Sequence, residues 1–282
     1  MTKVAIVGIT HIDSESQEKV SRILKEVKPD AVCLELDDYR LQTLLENEFI
    51  NNGSFLQEEL NNKTELSDDQ DSVNDDEGSS LTYTEEFTAV LEDIGFFESE
   101  LARIAQTDNP GKEMLIAYKI AKEMGSEIYL IDRSINEISK VLEEEVSSEE
   151  AEKFQELVDE LVLDRKIVAQ PMDVFGKEFN NSKDPMKSLE DMSENEEINL
   201  NEVLEIFKDP EALDSILSVF NQNFPMLYSI LLEDRNVYMS KQILKVLRNH
   251  TSVVIILGYG HVSKVAKLLK EFGKDLEIEI MN

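Results

Sequence analysis

Ser252-Val253-Val254-Ile255-Ile256-Leu257-Gly258-Tyr259-Gly260-His261 is the stretch that decides the fold. The run from Ser252 to Leu257 is apolar without a polar break and rich in β-branched residues. A strand with one wet face alternates apolar and polar side chains, whereas a continuous run marks a strand covered on both faces. Glycine then allows a tight turn or the close approach of a ligand. Beyond His261 a helical pattern runs to Phe272-Gly273. The segment therefore reads as a buried strand, a glycine turn and a covering helix.

The same rhythm recurs at Val4–Val7, Ala31–Leu36 and Glu127–Ile131, each an apolar run followed by polar or Gly residues and a helical pattern. Repeated βα units predict an α/β fold with a mainly parallel or mixed central sheet and flanking helices, in a single domain over 1–282. Leu276–Ile280 alternates with Glu and reads as an edge strand. Ser14-Glu15-Ser16-Gln17 fits a capping box, with Val20, Ile23, Leu24 and Val27 as the apolar face behind it and Pro29 closing the helix. Asn109-Pro110 and Gly125 bracket another helix. Further helices are expected from Ser134 or Asn136 through Leu142, from Ser148 to Ala169, and from Met226 to Leu247. The span 135–228 thus reads as a mainly helical cap region. Two segments read as insertions: 56–80, an acidic mobile insertion with nine acids and one lysine, and 180–199, a flexible loop.

Composition removes several function classes. With 28 basic and 60 acidic residues the net charge is −32, a surface that repels phosphate backbones and anionic headgroups, so no nucleic-acid partner is expected. The excess suits either salt adaptation or a cation-steering loop; the basic residues are mostly Lys. Cys33 is the single cysteine, so no intramolecular disulfide can form. No apolar run reaches the roughly 18 residues that cross a bilayer, and the first apolar segment is too short for a signal peptide. A cytoplasmic location is expected, and the sequence leaves open whether the chain forms a homo-oligomer. There is no P-loop, no GxGxxG, no HExxH and no Gly-x-Ser-x-Gly elbow.

In open α/β sheets ligands bind beyond the carboxyl ends of the strands. Those ends read Gly8-Ile9-Thr10-His11, Glu35-Leu36-Asp37 with Arg40 a turn later, Asp132-Arg133, and Gly258-Tyr259-Gly260-His261. The chain has three histidines, and two of them, His11 and His261, follow strand-end glycines. Imidazole serves as a metal ligand or as a base near neutral pH. His250 precedes the late strand and reads as an ordinary turn residue. Glu35 stands inside an apolar run, and a buried carboxylate needs a partner. It reads as a metal ligand, as a general base, or as one half of a structural ion pair with Arg40 or Arg133. Asp37 fits a helix N-cap. Arg133 suits a substrate carboxylate or a developing oxyanion, unless Asp132-Arg133 is simply a structural pair. Cys33 lies in an apolar strand and is a poor nucleophile.

The ordered set formed by Gly8–His11 with Ser14, Pro29-Asp30, Glu35-Leu36-Asp37-Asp38-Tyr39-Arg40, Pro110-Gly111, Ile131-Asp132-Arg133, Asp234-Arg235-Asn236 with Met239, and Gly258–Val262 resembles the TraB/PrgY family, which is related to the Tiki metalloproteases. It covers nearly the whole chain outside the acidic insertions. The resemblance implies a divalent-metal site (Mn, Co or Zn) with His11 and His261 as ligands and Glu35 as ligand or base. It implies catalytic or oxyanion roles for Arg133 and Arg235, and substrate-positioning roles for Arg40, Asp132 and Tyr259. The expected function is metal-dependent hydrolysis, most naturally of a peptide, as in PrgY-like proteins linked to shutting down a peptide signal. Two alternatives stand beside it: a non-catalytic protein that sequesters a peptide or signal, and a metal-free esterase-type hydrolase using a histidine base; the partner expected is a peptide or small-molecule substrate. The first motif here reads Gly-Ile-Thr-His where family members often have Gly-Thr-Ala-His, and Ser263-Lys264 stands where a Gly commonly follows the second His. The carboxy-terminal membrane spans of many members have no counterpart here.

Overall fold

The computed structural model describes residues 1–10, 14–52, 111–162, 167–168, 198–199 and 208–281. His11, Asn109, Pro110, the acidic insertion 56–80 and all but the last two residues of 180–199 lie outside the described residues.

Five strands form one all-parallel sheet: β1 (Thr2–Ile9), β2 (Ala31–Leu34), β3 (Glu127–Leu130), β6 (Ser252–Gly258) and β7 (Leu276–Met281), in the order β3-β2-β6-β1-β7. Three of the four continuous apolar runs are inner strands; the fourth, β3, is an edge and only partly buried, and the alternating Leu276 segment is the other edge. The chain folds as the α/β protein its pattern predicts.

Strand alternation divides the core in two. Val4, Ile6, Cys33, Val253, Ile255 and Leu257 face one layer, which α8 (Asp234–Val246) and α9 (Tyr259–Phe272) cover with Met239, Ile243, Val265 and Leu269. Val7, Ile9, Val32, Leu34, Val254 and Ile256 face the other, under α1 (Ser14–Val27) and α3 (Lys112–Met124). The helix after β1 therefore lies on one face and the helix after β6 on the opposite face. From β1 the chain moves over β6 to β2; from β6 it moves over β1 to β7. Parallel crossovers are almost always right-handed, so opposite directions require opposite faces. The adjacent strands β1 and β6 are thus the topological switch point, and the crevice beyond their carboxyl ends is where such sheets bind ligands.

The remaining helices are α2 (Asp38–Asn52), α4 (Ile135–Glu145), α5 (Ser148–Val162), α6 (Pro210–Asn223) and α7 (Pro225–Tyr228). A third cluster joins α4, α5, α6 and α7 through Leu142, Ala151, Phe224 and Leu227. Local chemistry sets several ends. Gly125 takes a left-handed φ of 73° and its N–H returns to Ala121 and Lys122, which stops α3. Asp209 caps α6 by accepting from the N–H groups of Glu211 and Ala212, with Pro210 in the first turn.

Two expectations change. The helix begun at Ser148 is described to Val162, and Ile167–Val168 (β4) instead pairs with Ile198–Asn199 (β5) in a small parallel sheet. Both short strands fall within 135–228, and of 180–199 only Ile198–Asn199 is described. The helix expected over Met226–Leu247 is interrupted by a π-helical turn at Ser229–Glu233. Such a turn inserts one residue per hydrogen-bonded ring and is often found at functional sites.

Candidate functional site

The switch point brings the two glycine turns side by side. Gly8 pairs with Leu257 and Ile9 with Gly258, so both Gly-x-x-His segments leave the sheet from neighbouring strands. Gly8 is required by packing: a Cβ there would lie 2.6 Å from two ring carbons of Tyr259. Lys19 of α1 reaches across, with Nζ donating to the Gly8 carbonyl at 2.8 Å and to the Tyr259 hydroxyl at 3.0 Å. It joins segments that are 240 residues apart. A cleft of about 450 Å³ opens beside this contact, lined among the described residues by Ser16, Lys19, Arg22, Lys208 and Tyr259 with Glu15 and Glu18. Glu35, Asp132 and Arg235 do not line it.

Behind Gly258 lies a buried charged centre. Glu35, just past β2, is 5% exposed. Its Oε2 accepts the Gly258 N–H at 2.7 Å, where α9 begins, and its Oε1 accepts from Nη2 of Arg235 at 2.7 Å. Arg235 also donates from Nε to Oδ1 of Asp132 at 3.1 Å and from Nη2 to Oδ2 at 2.6 Å, a bidentate pair. Its Nη1 donates to the carbonyl of Leu231, inside the π-helical turn. Arg40 approaches the same Asp132 Oδ2 at 2.7 Å from α2. The Asp132 side chain is wholly buried. Asp37 accepts from the backbone N–H of Arg40 at 2.7 Å and of Ile135 at 2.6 Å, and so caps α2 and α4 together.

The charges of this centre follow from its partners. Burial pushes the Asp132 carboxyl up, but the charge and hydrogen bonds of Arg235, helped by Arg40, outweigh it and hold the group below the ordinary carboxylate range. Burial works against the Arg235 guanidinium, yet Asp132 and Glu35 shift its pKa upward, so it stays charged.

His261 lies on the third residue of α9 and is 5% exposed. Its Nδ1 is 2.8 Å from Oδ1 of Asn236 on α8, and its Nε2 is 3.2 Å from Oε1 of Glu35. Both ring nitrogens thus face oxygen atoms, Nδ1 the Asn236 amide and Nε2 the Glu35 carboxylate.

Of the residues singled out from sequence, Glu35, Arg40, Asp132, Arg235 and His261 come together in this network, while Tyr259 lines the neighbouring cleft and bonds Lys19. Arg133 stands apart: its backbone N–H donates to Asp132 at 2.7 Å, while its guanidinium lies over the Tyr238 ring at 5.8 Å. The structural partner of Glu35 is Arg235, not Arg40 or Arg133. Asp132 pairs with Arg235 and Arg40 rather than closing its strand with Arg133. Asn236 and Lys19 were missed as site residues. A polar residue beside Arg235 on a core-facing helix was the available signal for Asn236; for Lys19 it was a lysine next to Val20 on the apolar side of α1. His250, just before β6, is held by the Tyr129 hydroxyl at 3.0 Å. Cys33 is fully buried, and burial pushes its thiol pKa up.

A doubly wound parallel sheet with a buried Glu-Arg-Asp-His centre at its switch point defines the class of protein. The TraB/PrgY/gumN family model matches residues 1–278, and the chain belongs to that family. It is 24% identical over 280 residues to an uncharacterized protein of Methanocaldococcus jannaschii, an alignment covering 99% of this chain and 56% of that protein. The chain thus spans about half the length of the relative it matches. Among the described residues no helix is long and apolar enough to cross a membrane, and no group of three or more His, Cys, Asp or Glu is placed to hold a metal ion.

Proposed function

We propose that this chain is a metal-dependent hydrolase acting on an anionic substrate, a peptide in the first instance, with His261 and Glu35 as two ligands of a divalent cation (Mn, Co or Zn). The observation that carries the reading is the setting of His261. Its Nδ1 is fixed by a carbonyl oxygen, the usual outer partner of a metal-binding imidazole. Its Nε2 and Glu35 Oε1 are 3.2 Å apart. Two donors each about 2.1 Å from one cation stand roughly 3.0–3.4 Å apart in octahedral or tetrahedral arrangement. The donor pair therefore fits such an ion, with His11 as the third ligand suggested by the motif set that resembles the Tiki metalloproteases. When bound, the cation would supply Lewis acidity toward water and a scissile carbonyl.

The chain's own residues have separate tasks in this reading. Asn236 fixes the imidazole ring. Arg235 and the Gly258 N–H hold the Glu35 carboxyl in place. Arg40 and Arg133 each keep a buried Nε with no hydrogen-bond partner among the described residues. Their side chains are partly exposed, Arg40 beside Asp37 and Arg133 beside Glu137, and the exposed parts of the two guanidiniums suit an anionic ligand. The same two groups favour a second reading, a non-catalytic protein that sequesters an anionic small molecule or peptide.

Elemental analysis after loading with Mn²⁺, Co²⁺ or Zn²⁺ and desalting tests the proposal, beside cleavage of a diverse peptide pool. The wild type should keep about one metal per chain. Asn236→Leu should weaken retention by about 10–100-fold, and His261→Ala should abolish it together with cleavage. Equal retention by His261→Ala, or peptide binding that survives it without any cleavage, overturns metal-dependent hydrolysis and leaves sequestration.

A further inference from the structure

We propose that the cleft between α6, α9 and β7 binds an amphipathic monoanion with one unbranched apolar tail, of the fatty-acid type. The cleft measures about 440 Å³, within the range of small-molecule sites. Its floor is aliphatic. Leu213 and Leu217 come from α6, Val262 and Ala266 from α9, each pair at i,i+4, and Ile280 closes it from the edge strand.

The rim has the opposite character. Lys267 and Lys270 stand on it, and neither has a carboxylate partner among the described residues. In a chain of net charge −32, a rim of three lysines, Lys208, Lys267 and Lys270, against one acid, Asp214, beside an apolar trough favours an anion. At the far end of the cleft lies Gly260. A Cβ there would meet only Leu232 Cδ2, at an ordinary 3.6 Å, and its φ is not left-handed. Neither packing nor backbone conformation requires glycine, so the missing side chain serves to leave the trough open. From Gly260 to Lys270 the helix rises about 15 Å, half of the ~30 Å hydrocarbon core of a bilayer and so of the scale of one acyl chain. The carboxylate sits between Lys267 and Lys270, and the tail runs along the aliphatic floor toward Gly260.

The cleft borders the Gly258–His261 turn at Tyr259 and Gly260, but its lining includes neither Glu35 nor His261, so binding there does not require the metal reading. Isothermal titration of the whole chain with octanoate, decanoate, decylammonium and a short acidic peptide tests it. Decanoate should bind once per chain and about tenfold more tightly than octanoate, two buried methylenes being the difference. Decylammonium and the peptide should bind at least tenfold more weakly. Lys267→Glu/Lys270→Glu should weaken decanoate by about tenfold. Ser263→Trp, at an exposed position on the cleft, should weaken it comparably without reversing charge. Circular dichroism shows that each variant is folded, and metal retention should be unchanged in both. Absence of decanoate binding, an equal affinity for decylammonium, a preference for the peptide, or indifference to both variants overturns the proposal.

Discussion

Replacing Arg235 by Met should expose how much of the fold depends on one guanidinium. The side chain is 14% exposed and joins Glu35 to Asp132, which are 5% and 0% exposed. Its loss removes the bidentate bond to Asp132 and the bond to Glu35, and leaves two buried carboxylates near one another with only Arg40 to offset Asp132 and the Gly258 N–H to hold Glu35. Breaking a buried ion pair from one side costs about 3–5 kcal/mol, because the remaining charge is uncompensated. The pH dependence gives a second handle. In the wild type Asp132 lies below its ordinary value, so its contribution is present above about pH 4 and fades as the pH falls through its folded pKa. Without Arg235, burial dominates and the carboxyl moves up. The folded variant then holds a proton that the unfolded chain has released, and it regains relative stability as acid is added. The difference from wild type, measured by urea unfolding, should therefore be largest at about pH 7.5 and shrink toward about pH 5. Adding Asp132→Asn to Arg235→Met removes one stranded charge and should recover about 1–3 kcal/mol. A loss under about 1 kcal/mol at neutral pH, or one that grows with acid, would refute the argument.

Two further outcomes follow from packing. Gly8→Ala places a methyl 2.6 Å from the Tyr259 ring and should cost about 1–3 kcal/mol by urea unfolding, with most of it restored in a Tyr259→Ala background. Cys33, fully buried in β2 with its thiol pKa raised, should react with a disulfide reagent only after denaturant is added. Rapid labelling in native buffer would mean that the centre of the sheet opens.

The sheet was legible because β1, β2, β3 and β6 carry continuous apolar runs, and because Leu276–Met281 alternates as an edge strand does. The strand ends were legible for the same reason, which is why Glu35, Asp132 and His261 could be named before any contact was known. Their partners were not. Arg235 meets Glu35 across 200 residues, and no local spacing encodes that distance. The π-helical turn that gives Arg235 the Leu231 carbonyl breaks the 3.6-residue register on which helix reading depends. Asn236 and Lys19 act through tertiary placement alone. The helix begun at Ser148 was read too long because acidic helix formers continue toward Ile167, where pairing with Ile198 decides the structure instead.

The position of β6 has a consequence for synthesis. Strand β1 is finished at residue 9, yet its inner neighbour begins at residue 252 and separates it from β2. At about 5–20 residues per second, a ribosome needs roughly 12–50 s to deliver that neighbour. Through this interval the amino-terminal strand, apolar on both faces, has nothing inside the sheet to pair with. The nascent chain is therefore a natural client for holding chaperones until β6 emerges, and β6 must insert between strands already made rather than add to an edge.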